Sequence, residues 1–272
     1  MLMGEHAVLA GHPAIVVAMD TFMQVSLTPR DDKRIEIQSA LGELSLPIDK
    51  ISPIKPFEFV LEAIRAWPIT EGFTLNIQSD FSHTVGLGSS AAVTVCTHHV
   101  IADFQNTPID KQSLFEKSLA TVHAVQGRGS GADIAASVYG GIVSYQLTPE
   151  PIITPLTSKP LPVTLIYSGS KTPTPEVLAY VENRFKNKPD TLAEIYQRIG
   201  NLSEKAIQAI KDNNLVSLGK LMKSQQSAMV DLGVCNDALS SLYQNALSDP
   251  SCLGAKISGS GLGDCLITLN TI

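Results

Sequence analysis

A glycine-rich stretch, Gly86-Leu87-Gly88-Ser89-Ser90-Ala91, carries the residue types in this sequence that best suit an anion. The alternating run at 73–79 predicts a strand before it, and the apolar run at 91–104, without Gly or Pro, predicts a buried helix after it. A glycine turn that opens a helix exposes backbone N–H groups at the positive end of the helix dipole, which suits a phosphate. The glycines let the backbone approach closely. Ser89 and Ser90 add hydroxyls that could cap the helix, or reach a metal or a phosphate oxygen.

The same stretch has a purely structural interpretation, a turn shaped by glycine and closed by a serine cap. It lacks the Lys of G-x-x-x-x-G-K-[ST] and the third glycine of G-x-G-x-x-G, so neither of those phosphate-binding patterns applies. Two further glycine-rich stretches, at 126–133 and 254–264, favour a nucleotide site. Asp133 also has a structural alternative, the N-terminal cap of an apolar helix. The stretch at 254–264 taken alone would also fit a flexible hairpin.

Composition excludes several classes of function. The chain has 272 residues, of which 17% are charged, and its net charge is −6. A nucleic acid or an anionic membrane would require a basic face, so neither is an expected partner. The four cysteines are far apart in the sequence, which is typical of reduced thiols in a cytoplasmic protein. We find neither a signal peptide nor an apolar segment long enough to span a bilayer, and we expect a cytoplasmic protein.

The hydrophobic periodicity predicts helices and strands along most of the chain. Apolar residues at helical spacing predict helices at 56–67, 108–125, 192–210, 215–229 and 238–247. Strands are predicted at 141–147, 163–167 and 265–269. The charged turn at 30–34 predicts a hairpin tip, and 39–56 is predicted to be irregular. Five prolines between 148 and 162 predict a crossover between two lobes.

Three stretches, taken in order, resemble the motifs of the GHMP family of small-molecule kinases. They are Gly4-Glu5-His6-Ala7-Val8 with Gly11-x-Pro13-Ala14-Ile15, then Gly86-Leu87-Gly88-Ser89-Ser90-Ala91-Ala92, and finally Lys256-Ile257-Ser258-Gly259-Ser260-Gly261-Leu262-Gly263-Asp264-Cys265. The resemblance spans nearly the whole chain. It implies an α+β fold of two lobes. The N-terminal lobe, 1–150, would be similar to the second domain of ribosomal protein S5 and carry the ATP phosphate loop, and 151–272 would form a C-terminal α+β lobe.

The resemblance also implies cofactors and residue roles. ATP and Mg²⁺ would be the cofactors, with Ser90 coordinating the metal and Asp133 acting as the catalytic residue that faces the hydroxyl to be phosphorylated. The ATP phosphates would be bound by Gly86, Leu87, Gly88, Ser89, Ser90 and Ala91. The acceptor would be bound by Glu5, His6, Asp133, Thr174, Gly259 and Ser260.

Within the family the chain is most similar to kinases that phosphorylate mevalonate. Kinases of phosphomevalonate are the close alternative, and a non-catalytic sensor that binds ATP and a metabolite is a third. A phosphorylated acceptor brings about two more negative charges, which need nearby cations or backbone donors. Only Arg128, Lys171 and Lys256 lie close to the motifs. We therefore expect phosphorylation of the 5-hydroxyl of mevalonate, a step of isoprenoid biosynthesis, with homodimerisation left open.

Three positions depart from the family's pattern. The family's Lys lies upstream of the first motif, so either a short strand carrying Lys precedes Met1 or another cation, Lys171 or Arg128, takes its place. We expect the strand. Val122 stands where mevalonate kinases have an acidic Mg²⁺ ligand, so a second protein ligand is not assigned. Ser82 replaces the Pro that precedes the phosphate loop, which changes the stiffness of the loop.

Overall fold

The computed structural model describes residues 1–81, 88–148, 150–157 and 159–271. The strands are β1 (Ala14–Val17), β2 (Met23–Arg30), β3 (Arg34–Ser39), β4 (Gly42–Pro47), β5 (Gly72–Ser79), β6 (Ile142–Thr148), β7 (Glu150–Thr157), β8 (Val163–Tyr167), β9 (Cys252–Ser258) and β10 (Cys265–Asn270). The helices are α1 (Glu58–Arg65), α2 (Ser89–Phe104), α3 (Lys111–Gln126), α4 (Ala132–Tyr139), α5 (Thr174–Arg184), α6 (Pro189–Lys211), α7 (Leu215–Leu232) and α8 (Asp237–Leu247). None of the described helices combines the length and the apolar character needed to cross a bilayer.

The described residues form two compact units. Residues 19–81 and 88–139 make up one, called here the central unit. Residues 1–18 and 140–271 make up the other, called here the terminal unit. The limits of these units differ from the domains that we predict at 1–150 and 151–272, because the first strand pairs with a strand that follows residue 140. The predicted limits stay a prediction about the two family domains.

The central unit is a four-stranded sheet covered by helices. Its strand order is β2-β5-β3-β4, with β3 and β5 parallel and the other pairs antiparallel. Alternate residues of the middle strands, such as Ile35 and Leu75, are fully buried and pack in one cluster with Leu61 of α1 and Ile101 of α2. This alternation is what a half-buried strand requires, because successive side chains point to opposite faces.

Two sequence predictions are wrong in the central unit. The turn at 30–34 does not make a hairpin, since β5 lies between β2 and β3 and pairs with both. An alternating pattern shows that a segment is a strand but does not select its neighbour. The segment 39–56 is not irregular throughout, because β4 pairs antiparallel with β3 from Ser39↔Gly42 to Arg34↔Pro47.

The terminal unit contains two antiparallel sheets of three strands and helices α5 to α8. The strand orders are β1-β6-β7 and β8-β10-β9. The proline-rich segment that we predict to be a crossover instead contains β7. This strand tolerates Pro151 and Pro155 because it lies at a sheet edge, where a missing N–H can face away from the neighbouring strand.

Helix α7 and strand β9 approach each other unusually closely in the terminal unit. A Cβ placed on Gly254 of β9 would lie 2.2 Å from the carbonyl oxygen of Gly219 in α7. Two glycines are therefore required where the backbones meet. The contact fixes β9 against α7, and both elements contribute residues to the site described below.

A buried histidine in the central unit is held in one neutral form. Trp67 Nε1–H donates to His98 Nδ1 at 2.9 Å, so the proton of His98 is on Nε2, which donates to Thr121 Oγ1 at 2.8 Å. Burial, with a smaller contribution from the nearby Lys117 ammonium, lowers the pKa of His98 to about 4. Protonation would place two N–H donors against each other at Nδ1.

We expect the protein to become less stable as the pH falls, and we expect the His98→Gln variant to show a smaller loss. The folded-state pKa of His98 lies below the unfolded value, so its contribution is complete above about pH 6.5 and is lost as the pH falls toward about 4. The loss at about pH 5 relative to pH 7 is about 2 kcal/mol. Urea unfolding at both pH values, on wild type and His98→Gln, measures the difference. Equal pH dependence in the two proteins would show that His98 does not titrate on unfolding.

Candidate active site

Helix α2 begins at the glycine-rich stretch 86–91. Gly88 precedes it with φ 73° and ψ 31°, a left-handed conformation that favours glycine. Ser89 and Ser90 lie in the first helical turn, and no side chain of the described residues caps the helix, so the predicted serine cap is wrong. The first N–H groups of a helix have no partner within it, which leaves them for an anion. Gly86 and Leu87, also predicted to bind ATP, lie outside the described residues.

The structure brings Asp133 to the start of this helix. A Cβ placed on Gly88 would lie 3.2 Å from Asp133 Cβ and 3.4 Å from Asp133 Oδ2. Only glycine therefore leaves the carboxylate its full approach to the backbone that opens α2. Asp133 is exposed and lies one residue inside α4, and the Ser130 hydroxyl accepts the Ala132 N–H at 3.3 Å. Asp133 is thus not the N-terminal cap that the structural alternative required.

The side chains near the start of α2 offer the oxygen ligands that Mg²⁺ prefers, but they offer few of them. Magnesium binds oxygen ligands, commonly one or two from the protein and the rest from phosphates and water. The Ser90 hydroxyl lies in the first turn of α2, and the Asp133 carboxylate lies beside Gly88, the residue before that helix. Val122 is buried in α3 and offers no ligand. The described residues contain no group of three or more His, Cys, Asp or Glu side chains arranged for a metal.

The first motif lies in the terminal unit and is buried. Glu5 is 2% exposed, and its two carboxylate oxygens accept hydrogen bonds from Lys256 Nζ and Gln225 Nε2. Lys256 is fully buried and also donates to the Ile257 carbonyl. Burial lowers the pKa of Lys256, and the adjacent Glu5 carboxylate opposes this shift.

This arrangement corrects one of our predictions and changes another. Lys256 was one of the three cations expected to be near the phosphates, but its ammonium is enclosed and paired with Glu5, so it is not available to a ligand. Glu5 was predicted to line the acceptor pocket. Because its carboxylate is buried and bonded to protein groups, we assign it a positioning role instead.

His6 adopts a strained backbone conformation. Its φ of 62° and ψ of −52° are those of a γ-turn, which is closed by the Ala7 N–H donating to the Glu5 carbonyl at 2.7 Å. Strain of this kind persists only where surrounding structure holds it, and it is common at functional sites. Here the holding contacts are the bonds of Glu5 and that of the Gly4 N–H to Gln225 Oε1 at 3.2 Å.

The imidazole of His6 is bonded to the third glycine-rich stretch at one nitrogen only. Nε2 lies 2.8 Å from the Ser260 carbonyl oxygen, so Nε2 donates, and burial lowers the pKa of His6, which favours the neutral ring. Nδ1 is then an acceptor. Within the described residues neither His6 Nδ1 nor Ser260 Oγ has a hydrogen-bond partner, although both atoms are buried. Buried polar atoms left in this way indicate a ligand or water.

The third glycine-rich stretch begins within β9, and its residues 259–264 join β9 to β10 through a tight turn. Gly259, Gly261, Leu262, Gly263 and Asp264 all have positive φ. A Cβ on Gly259 would lie 2.7 Å from Asp264 Oδ2. Thr174, predicted to be near the acceptor, is exposed at the first residue of α5 in the same unit. The predicted site residues thus fall into two groups, with Ser89, Ser90, Ala91 and Asp133 in the central unit and Glu5, His6, Thr174, Gly259 and Ser260 in the terminal unit.

Gln225 and Gln226 are site residues that the sequence reasoning missed. Both are buried in α7, and Gln226 Oε1 accepts the Ile257 N–H at 2.8 Å. A signal was present, because Gln225 falls between Met222 and Met229 at helical spacing, on a stripe that is otherwise apolar. A polar residue at a core position requires a buried partner.

Comparisons with known proteins agree with this arrangement of motifs. Residues 55–141 match the GHMP kinases N terminal domain, and residues 206–270 match the GHMP kinases C terminal domain. The mevalonate kinase of Pyrococcus furiosus is 31% identical, over 99% of this chain and 86% of the relative. The crystal structure of the Methanococcus jannaschii mevalonate kinase has a TM-score of 0.84 and 25% identity, over 99% of this chain and 87% of that one.

A third comparison concerns the fold alone. The structure of Streptococcus pneumoniae phosphomevalonate kinase in complex with phosphomevalonate and AMPPNP has a TM-score of 0.81 at 18% identity, over 99% of this chain and 89% of that one. The α+β fold expected from the motifs is confirmed by these matches and by the two units of mixed helices and sheets. The chain belongs to the GHMP kinase family.

Proposed function

We propose that the protein is an ATP-dependent kinase that phosphorylates the 5-hydroxyl of mevalonate. The observation that carries the proposal is the approach of Asp133 to Gly88, at the residue that opens α2. A carboxylate there stands beside the N–H groups of a helix start, so a proton acceptor and an anion site lie side by side. The identity of 31% with a mevalonate kinase over nearly the whole chain supports mevalonate as the acceptor.

The residues of this chain divide the chemistry among them. Phosphoryl transfer depends mainly on positioning and on stabilising negative charge. The N–H groups at the start of α2 and the hydroxyls of Ser89 and Ser90 bind the phosphates of ATP. Asp133 orients the acceptor hydroxyl and takes its proton. Mg²⁺, held by Ser90 and the ATP phosphates, would neutralise charge on the phosphates when bound.

Acceptor contacts are proposed for the terminal unit. The lone pair of His6 Nδ1 can accept a hydrogen bond from an acceptor hydroxyl, and Ser260 Oγ can donate or accept one. The strained turn at His6 supports a functional role. Without a function, a residue that relieves the strain could replace His6 without loss of activity. The four free thiols are consistent with a reducing compartment such as the cytoplasm.

The charge available supports mevalonate over its 5-phosphate. Of the three cations near the motifs, Lys256 is withdrawn into its pair with Glu5. At most Arg128 and Lys171 are then left to serve both ligands, and ATP itself needs positive charge. Burying about two further negative charges without new donors is costly. An acceptor that carries only a carboxylate and hydroxyls makes the smaller demand.

We expect kcat/KM for mevalonate to exceed that for phosphomevalonate by at least about tenfold, or about 1.4 kcal/mol in transition-state binding. A coupled assay of ADP release, with both acceptors under the same conditions, measures this ratio. A tenfold preference for the phosphorylated acceptor would reverse the assignment. Binding of ATP without acceptor-dependent ADP release would favour the non-catalytic sensor.

A further inference from the structure

The terminal unit encloses an ion pair that stability alone does not explain. Lys256 and Glu5 are 0% and 2% exposed, and each also bonds to a neighbour, Ile257 for the lysine and Gln225 for the glutamate. Removing two charges from water is costly, and an apolar pair of similar volume often stabilises a fold as well or better. The position of the pair, rather than its energy, therefore calls for an explanation.

The glutamate end of the pair controls the turn that presents His6. The Glu5 carbonyl accepts the Ala7 N–H that closes the γ-turn, and its side chain is held by Lys256 and Gln225. The other end of the Gln225 amide accepts the Gly4 N–H. The residues on the N-terminal side of His6 are thus fixed through both backbone and side chain.

The lysine end controls the loop that receives His6. Lys256 Nζ donates to the Ile257 carbonyl, and the Ile257 N–H donates to Gln226 Oε1 at 2.8 Å. Ser260 follows three residues later, and its carbonyl accepts the His6 Nε2 proton at 2.8 Å. One buried ion pair therefore connects both sides of the His6–Ser260 hydrogen bond.

We propose that the Glu5–Lys256 pair is a positioning device that holds His6 with Nε2 bonded to Ser260 and Nδ1 presented to the acceptor. The inference rests on the proposed function, in which His6 contacts the acceptor. Lys256 also neutralises the negative charge of the Glu5 carboxylate, which lies close to the His6 imidazole. Burial lowers the pKa of His6, and the negative charge of Glu5 works against that lowering by favouring the protonated ring. A protonated Nδ1 could no longer accept a hydrogen bond.

The test replaces the pair by neutral side chains of similar size, in the double variant Glu5→Gln/Lys256→Met. We expect KM for mevalonate to rise at least about tenfold while KM for ATP stays within about twofold, because only the acceptor contact is displaced. A pair that served stability alone would lower the melting temperature and leave both KM values unchanged. The matched control is Arg198→Met/Asp231→Asn, which removes an exposed ion pair of the same unit. The control should keep both KM values.

A spectroscopic measurement separates this proposal from the proposed function. In the full-length protein, ¹⁵N–¹H NMR of the imidazoles, with His6 assigned through His6→Asn, should show a single Nε2–H tautomer. We expect the double variant, but not the control, to lose that signature. If the wild type does not phosphorylate mevalonate and this loss is still seen, the proposed function fails while the positioning role stands. Unchanged His6 signals together with an unchanged KM for mevalonate would overturn the positioning role.

A second variant keeps the proposal testable if the double variant does not fold. Gln225→Met removes the hydrogen bonds to Glu5 and Gly4 and leaves both charges in place. We expect KM for mevalonate to rise at least about threefold, with KM for ATP unchanged. An unaltered KM for mevalonate in this variant would contradict the proposal.

Discussion

Asp133→Asn is expected to lower kcat for mevalonate phosphorylation by about 10²- to 10⁴-fold, the usual contribution of a general base. The amide keeps the shape of the side chain beside Gly88 but cannot take a proton from the acceptor hydroxyl. Asp133 is exposed and is not a helix cap, and its carboxylate makes no buried ion pair or hydrogen bond within the part of the chain that the structure describes. The melting temperature should therefore stay close to that of the wild type.

Steady-state kinetics and thermal unfolding on the same preparations test this expectation. Asp110→Asn is the matched control, because it makes the same chemical change at an exposed position of the same unit. Asp110 caps α3 by accepting the Ser113 N–H at 2.9 Å, and asparagine caps helices equally well. The control should keep kcat. A wild-type kcat in Asp133→Asn would remove the residue from the chemistry.

Lys256→Met alone is expected to destabilise the protein by about 3–5 kcal/mol, the usual cost of breaking a buried ion pair. The loss is large because Glu5 is left as a charge at 2% exposure, with Gln225 as the remaining partner of its side chain among the described residues. The double variant Glu5→Gln/Lys256→Met should recover most of this loss, since no unpaired charge remains inside. Urea unfolding gives the free energy of each variant.

The exposed ion pair of the same unit provides the comparison. Arg198 and Asp231 have side chains that are 44% and 47% exposed, so Arg198→Met should cost about 1 kcal/mol or less. If Lys256→Met lowers the free energy of unfolding by no more than Arg198→Met does, the Glu5 carboxylate must become hydrated or protonated when Lys256 is removed. The pair would then be much weaker than its burial implies.

The sequence predicted most of the helices, because each of these carries its own apolar spacing, but it missed α5. The apolar spacing between 192 and 247 predicted α6, α7 and α8 in order, since a helix needs a continuous apolar stripe to pack. The strands were harder. β4 and β7 were missed because prolines and polar residues obscure the alternation, and both strands lie at sheet edges where such residues are tolerated.

The order of the three motifs at 4–15, 86–92 and 256–265 by itself indicated the family, because backbone turns that open helices or join strands depend on local residue types. Only the tertiary structure decided what the charged residues do. Nothing near Lys256 in sequence shows that it is enclosed with a carboxylate 251 residues away, or that Gln225 holds the same carboxylate. The capping and hairpin interpretations were likewise settled by where α2, α4 and β5 begin and which neighbours they contact. Burial and partner choice are properties of the packed chain, since they depend on segments that the sequence keeps far apart.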